Sequence, residues 1–100
     1  MINMKRIYES VALGMVAVNE LKDLITDERN QEKKEVLECV RFSYYYLILN
    51  LTEQFGVNYE NLATALVENG YDYRQACDQI DRYKDWECHV IKINERGDNT

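Results

Sequence analysis

The residues of this chain most suited to catalysis or metal binding are its thiols and its single imidazole. Among 100 residues there are three cysteines, Cys39, Cys77 and Cys88, and one histidine, His89. A zinc site needs several such ligands at short spacings, and a catalytic thiol needs a base and an anion-stabilising pocket. His89 follows Cys88 directly, but no second Cys or His stands at a metal-binding spacing from this pair. We therefore expect no metal, no cofactor and no enzyme activity, and we expect the thiols to be reduced and buried.

A series of carboxylates is the other candidate for chemistry. Glu28, Glu32, Glu35 and Glu38 follow one another in steps of three and four, which places them near one face of a helix. Carboxylate-bridged metal sites in helical bundles combine glutamates with a Glu-x-x-His motif, which this sequence lacks. The lysine pair 33–34 also lies among these acids. The pattern therefore favours a solvated, charged helix face.

The overall charge excludes some classes of partner. Eighteen acids against twelve bases give a net charge of −6, which disfavours direct binding to nucleic acid or to an anionic membrane surface. The apolar stretch near the N-terminus is interrupted by Glu9 and Glu20, so it is too short to span a bilayer. With 46% hydrophobic residues the chain has the composition of a globular domain. We expect a cytoplasmic protein without membrane contact.

Glycines and helical periodicity predict the elements that must position any site. Apolar residues at steps of three and four predict a first helix from about Met4 to Ile25 and a second that begins between Asp27 and Asn30 and ends at Phe55. Gly14, inside the first helix, indicates that another helix approaches closely. Gly56 and Gly70 stand where left-handed caps end helices, so a third, short helix is expected between them.

The fourth predicted helix follows Asp72 as its N-cap. After it, residues 88–94 contain three β-branched side chains and predict one short extended segment. The fold class is thus all-α: a four-helix arrangement with a long αα-hairpin, two shorter helices and a short extended C-terminal segment. We expect a single helical domain over residues 1–94 and a disordered tail over residues 95–100.

The first two helices carry more apolar residues than one buried face requires. Residues Tyr44, Tyr45 and Tyr46 are consecutive, so they point about 100° apart and at least one must face outward. Either the third and fourth helices cover this second face, or another protein does. The surplus predicts a homodimer or higher oligomer. The predicted oligomer interface is Val11, Met15, Val18, Phe42 and Tyr46.

A second surface is predicted to bind a protein partner. Trp86 has no assured core position, large aromatic side chains are typical of interfaces, and aspartates of the fourth helix would attract a basic partner surface. The predicted partner-binding residues are Tyr45, Tyr46, Leu49, Trp86, Asp78, Asp81 and Asp85. Trp86 closing the helical bundle is the competing interpretation.

Three functions remain open at this point. The favoured hypothesis is a small, acidic interaction module, a homo-oligomeric regulator or inhibitor of the accessory or mobile-element type that binds and blocks a larger protein. The first alternative is a nucleic-acid mimic, whose acids Asp72, Asp78, Asp81, Asp85 and Glu87 would occupy a basic groove. The second alternative is a helical oligomer that binds a small ligand between its subunits.

Overall fold

Helices make up nearly all of the computed structural model, which describes the backbone of residues 3–98 and the side chains of residues 3–93. Four α-helices occur in this part of the chain, as predicted, with one 3₁₀ turn (Tyr59–Asn61) before the third. The α-helices are α1 (Met4–Asp27), α2 (Gln31–Phe55), α3 (Leu62–Glu68) and α4 (Tyr73–Asp98). The predicted all-α class with a long αα-hairpin, formed by α1 and α2, is confirmed.

The helix ends are set by the capping residues visible in the sequence. The Asn30 side chain accepts a hydrogen bond from the Lys33 amide at the start of α2. Gly56 ends α2 in the left-handed region, with φ +62°, where a side chain would be strained. At the start of α4, Asp72 Oδ1 accepts from the Gln75 amide at 2.7 Å and Gln75 Oε1 accepts from the Asp72 amide at 3.2 Å. This reciprocal pair is a capping box with Gln at its third position.

Helix α1 lies at the centre of the fold. It packs against α2 on one side and against α3 and α4 on the other. Asn19, only 3% exposed, donates from its side-chain amide to both the carbonyl and the side-chain oxygen of Gln79 at 2.8 Å. These two hydrogen bonds tie the middle of α1 to α4, and because Asn19 is buried they fix how the two helices are aligned.

The contact between α1 and α2 depends on Gly14. A Cβ atom at this position would lie 3.3 Å from the Cγ1 and Cδ1 atoms of Ile48. Ile48 is buried, at 2% exposed, so it has little room to withdraw. The predicted close approach of another helix at Gly14 is confirmed, and α2 is that helix.

The C-terminal segment is a helix, and here the prediction was wrong. α4 continues without interruption through residues 88–94 to Asp98, which makes it the longest helix among the described residues. Val90, 4% exposed, lies on the same buried face as Ile80 and Tyr83. Burial of this face outweighs the β-propensity of the branched side chains. The predicted disordered tail overlaps the end of α4 and residues 99–100, which lie outside the described residues, so it stays a prediction.

Three residues of the predicted oligomer interface belong instead to the core of the chain. Val11, Met15 and Val18 are each 0% exposed, so they present no surface to a second copy. The reason is that α1 is covered from two sides, by α2 and by the α3 and α4 pair.

No helix within the described residues is long and apolar enough to cross a membrane.

Candidate functional site

Helix α2 is much less covered than its neighbour α1. Among its 25 residues only Tyr45 and Ile48 are buried. Its exposed large apolar side chains fall on two faces because helical residues three or four apart share a face. One face carries Phe42 and Tyr46, and the other carries Val36, Val40, Tyr44 and Leu47.

The first of these faces joins α4 to form what we call the aromatic surface, made of Phe42, Tyr46, Leu49 and Trp86. The ring centroids of Phe42 and Trp86 are 5.9 Å apart. Phe42 is 43% and Tyr46 55% exposed, whereas Leu49 and Trp86 are half-buried and pack on the core. The aromatic surface therefore combines one ring that packs on the core, Trp86, with two rings that are exposed to solvent, Phe42 and Tyr46.

Tyr45 and Tyr83 form the floor of the aromatic surface. Tyr45 is 5% exposed and its ring meets Trp86 edge-on at 5.7 Å, while Tyr83 is fully buried with its ring 5.9 Å from Trp86. Burial, and next the negative charge of Glu87, raise the pKa of both phenols. Tyr45 is thus a support for Trp86, and its predicted role as a direct partner contact is corrected.

Arg41 borders the aromatic surface and was not singled out in the sequence. Its guanidinium lies 4.3 Å from the centroid of the Trp86 ring, and its Nε donates to the Val18 carbonyl at 3.1 Å. Burial, and next the charge of Arg82, lower the pKa of Arg41. A cation on the face of a tryptophan is attracted by the ring quadrupole, so the pair stiffens both side chains.

Beside Trp86 the helices leave a cleft of about 300 Å³. Its lining residues are Asn19, Lys22, Arg41, Arg82, Asp85, Trp86 and His89. Three side chains with permanent positive charge thus converge in a protein of net charge −6. Arg82 makes one ion pair, with Asp23 at 3.9 Å. Chemically, the cleft is suited to an anionic group set against an aromatic ring.

The three predicted aspartates do not form a single group with Trp86. All three are exposed, and Asp85 lines the cleft. Asp81 lines a separate depression with Tyr59 and Lys84. Arg41 lies 4.3 Å from the Trp86 ring, and Lys22, Arg82 and the single carboxylate of Asp85 line the same cleft.

The thiols and the imidazole are placed differently from the sequence expectation. Cys39 and Cys88 are exposed and Cys77 is half-buried, so the prediction that the thiols are buried was wrong, although all three are free. Cys77 packs against the core next to Ala76, whereas Cys39 and Cys88 lie on exposed faces of α2 and α4. His89 is exposed and lines the cleft. Within residues 3–93, no three His, Cys, Asp or Glu side chains are grouped to hold a metal ion.

Arg41 is a site residue that sequence reasoning missed. A signal existed, since Arg41 directly precedes Phe42 on α2. Only the tertiary structure, in which α2 and α4 both pack on α1, places Arg41 against Trp86 and in one cleft with Arg82.

Neither a family model, nor a curated protein, nor a solved structure matches this chain.

Proposed function

We propose that this chain is a small helical interaction module that binds a larger protein through the aromatic surface and regulates or blocks it by occupying that partner's surface. The observation that supports this is the exposure of Phe42 and Tyr46 beside a rigidly held Trp86. Large aromatic side chains in a firm setting carry a disproportionate share of binding energy, often about 2 kcal/mol or more each. We place the contact on Phe42, Tyr46, Leu49 and Trp86.

The partner's chemistry follows from the border of this surface. Asp85 borders the cleft beside Trp86, and with the exposed Asp78 and Asp81 farther along α4 it would attract basic groups, as the sequence predicts. The cleft beside Trp86 would in turn accept a carboxylate of the partner next to Arg41 and Arg82. A mixed surface, with an acidic group over the cleft and basic groups toward α4, is therefore the partner we propose.

The nucleic-acid mimic is less well supported by the geometry. A mimic needs its acids on one face at regular spacing. Glu87 instead accepts hydrogen bonds from the Tyr59 hydroxyl at 3.2 and 3.3 Å, and Asp72 is occupied in capping α4. Only Asp78, Asp81 and Asp85 remain as free exposed acids of the proposed set.

The test is affinity purification from the source cell with quantitative mass spectrometry, comparing the wild type with Tyr46→Ala and Tyr73→Ala. Tyr73 is a matched control, since it is 71% exposed but lies at the start of α4, away from the aromatic surface. We expect one dominant partner whose recovery falls at least about tenfold with Tyr46→Ala and stays unchanged with Tyr73→Ala. Equal recovery with both variants, or no specific partner, contradicts the proposal.

A small anionic ligand is the second candidate function, favoured by the convergence of Lys22, Arg41 and Arg82 in the cleft. The cleft lies within one chain, unlike the site between subunits that the sequence suggested. Calorimetric titration with inorganic phosphate and with citrate tests it. Saturable binding that is lost in Arg82→Gln and kept in Arg74→Gln, an exposed arginine that does not line the cleft, is the expected result. No binding at millimolar concentration overturns it.

A further inference from the structure

The second exposed face of α2 lies beside exposed apolar residues of α1, and we call these residues together the hairpin surface. On α2 it consists of Val36, Val40, Tyr44 and Leu47, and on α1 of Leu13, Ala17 and Leu24. Leu47 is 59%, Leu24 54% and Leu13 41% exposed. Between the two helices runs a groove of about 370 Å³ lined by Ser10, Leu13, Gly14, Ala17, Tyr44, Leu47, Ile48 and Leu51. No residue that lines the groove is charged.

Two exposed charged residues lie on the α1 side of the hairpin surface, Arg6 before Leu13 and Glu20 between Ala17 and Leu24. Three more, Glu28, Glu32 and Lys33, border its far end beside Val36. Arg6, Leu13 and Glu20 are spaced seven residues apart, so they share one face of α1 with Leu13 at the midpoint. Arg6 and Glu20 are both exposed, and neither has an ion-pair partner in the described part of the chain. They are separated by about 21 Å along the helix, at 1.5 Å per residue.

This arrangement is complementary to itself. In a two-fold dimer, a contact from residue i to residue j is repeated from j to i. If the two α1 helices cross antiparallel with the axis at Leu13, Arg6 of each copy faces Glu20 of the other. The groove places Leu47 and Ile48 at the height of Leu13, so the same axis puts Leu47 against Leu47 and Tyr44 near Leu51 of the second copy. One operation thus pairs Arg6 with Glu20 and the apolar side chains that line the groove with one another. Leu24, Val36 and Val40 lie beyond this paired part, and the same axis sets Val40 opposite Gln54.

We propose that the hairpin surface binds a second copy of this chain, so that two α1–α2 hairpins pack face to face with their α1 helices antiparallel. The charge pattern favours a second copy over another protein's helix. Arg6 and Glu20 lie at equal distances on either side of Leu13, so an antiparallel copy sets a positive side chain opposite a negative one at both positions. This dimer uses α1 and the far side of α2. It leaves the aromatic surface of both copies free, so it is independent of the proposed function.

Light scattering and sedimentation equilibrium at micromolar concentration provide the first measurement. The wild type is expected at twice the 11.9 kDa chain mass. Leu47→Glu should be monomeric with unchanged circular dichroism, since Leu47 is mostly exposed in the single chain. Tyr46→Glu, which changes the adjacent residue with 55% exposure on the aromatic surface, should remain dimeric. Loss of the dimer in Tyr46→Glu but not in Leu47→Glu would overturn the assignment of the surface.

Charge reversal tests the antiparallel orientation. Arg6→Glu and Glu20→Arg, each alone, should raise the dimer dissociation constant about tenfold or more, because each reversal acts at two symmetry-related contacts. The double variant Arg6→Glu/Glu20→Arg should restore wild-type dissociation. A monomeric wild type, or single variants that weaken the dimer without rescue in the double variant, overturns the proposal. If the dimer proposal fails, the affinity-purification result expected for Tyr46→Ala and Tyr73→Ala does not change, so the two proposals are tested separately.

Discussion

The guanidinium of Arg41 lies 4.3 Å from the centre of the Trp86 ring, and with the rings of Phe42 and Tyr45 it connects α2 to α4. Because Arg41 also donates from Nε to the Val18 carbonyl at 3.1 Å, one side chain connects three helices. Arg41 therefore fixes the position of Trp86 relative to α1 and α2. Helix α2 has only two buried side chains and is held mainly by its long contact with α1, to which this bridge adds a connection to α4.

Replacing Arg41 by lysine should lower the free energy of unfolding by about 1 to 2 kcal/mol. A lysine keeps the charge but lacks the planar guanidinium that stacks on Trp86 while bonding to Val18. Urea denaturation of Arg41→Lys against Arg74→Lys measures this, since Arg74 is exposed. Equal free energies of unfolding for the two variants would show that the contacts of Arg41 with Trp86 and Val18 do not stabilise the fold.

Trp86 and Tyr46 should differ sharply on truncation. Trp86 is half-buried on Tyr45 and Tyr83, so Trp86→Ala should cost about 2 to 4 kcal/mol of stability as well as binding. Tyr46→Ala removes a side chain that is 55% exposed and should change stability by less than about 1 kcal/mol. Thermal and urea unfolding of both variants give the comparison. A Trp86→Ala protein with wild-type stability would mean that Trp86 is no part of the core.

Gly14 and Ile48 should be energetically coupled. Alanine gains about 1 kcal/mol over glycine in a helix, but its Cβ would lie 3.3 Å from Ile48. We expect Gly14→Ala to be nearly neutral in the wild type and more favourable by about 0.5 kcal/mol in an Ile48→Val background, where the contact with Cδ1 is lost and only that with Cγ1 remains. A double-mutant cycle in urea measures the coupling. Additive effects would show that α2 moves away freely.

Tyr83→Phe should stabilise the protein. The Tyr83 hydroxyl is buried and has no hydrogen-bond partner among the described residues, and such a group costs about 1 kcal/mol or more. The matched change Tyr59→Phe has the opposite expected sign, because it removes the hydrogen bond from the Tyr59 hydroxyl to Glu87. Urea unfolding of the two variants decides the matter. Destabilisation by Tyr83→Phe would imply that the hydroxyl is satisfied in solution.

Stability should fall at alkaline pH. Burial, followed by the nearby charge of Glu87, raises the pKa of Tyr59 and of Tyr83 above the ordinary value. Above about pH 10 the unfolded chain loses these protons while the folded chain keeps them, so the folded state weakens as pH rises. Urea unfolding at several pH values, with tyrosinate absorbance, tests this. The decline should be shallower in Tyr83→Phe, and a stability that stays level above pH 10 would contradict the assignment.

Local signals in the sequence were enough for the helix count and for most helix ends. Asn30, Gly56 and Asp72 act on the backbone within a few residues of themselves, so their effects do not depend on the rest of the fold. The end of α2 at Phe55 and the close approach at Gly14 were predicted on this basis. The same reasoning predicted that at least one of Tyr44, Tyr45 and Tyr46 faces outward, and two of them do.

Which apolar face becomes core was decided by tertiary packing. Periodicity shows that α1 and α2 each have more than one apolar face, but it contains no information on which neighbour covers which face. Val11, Met15 and Val18 became core because α3 and α4 fold back onto α1. This packing joins residues about 60 positions apart in the sequence, such as Asn19 and Gln79. Val90 is helical for the same reason, since its burial beside Tyr83 outweighs a local preference for strand.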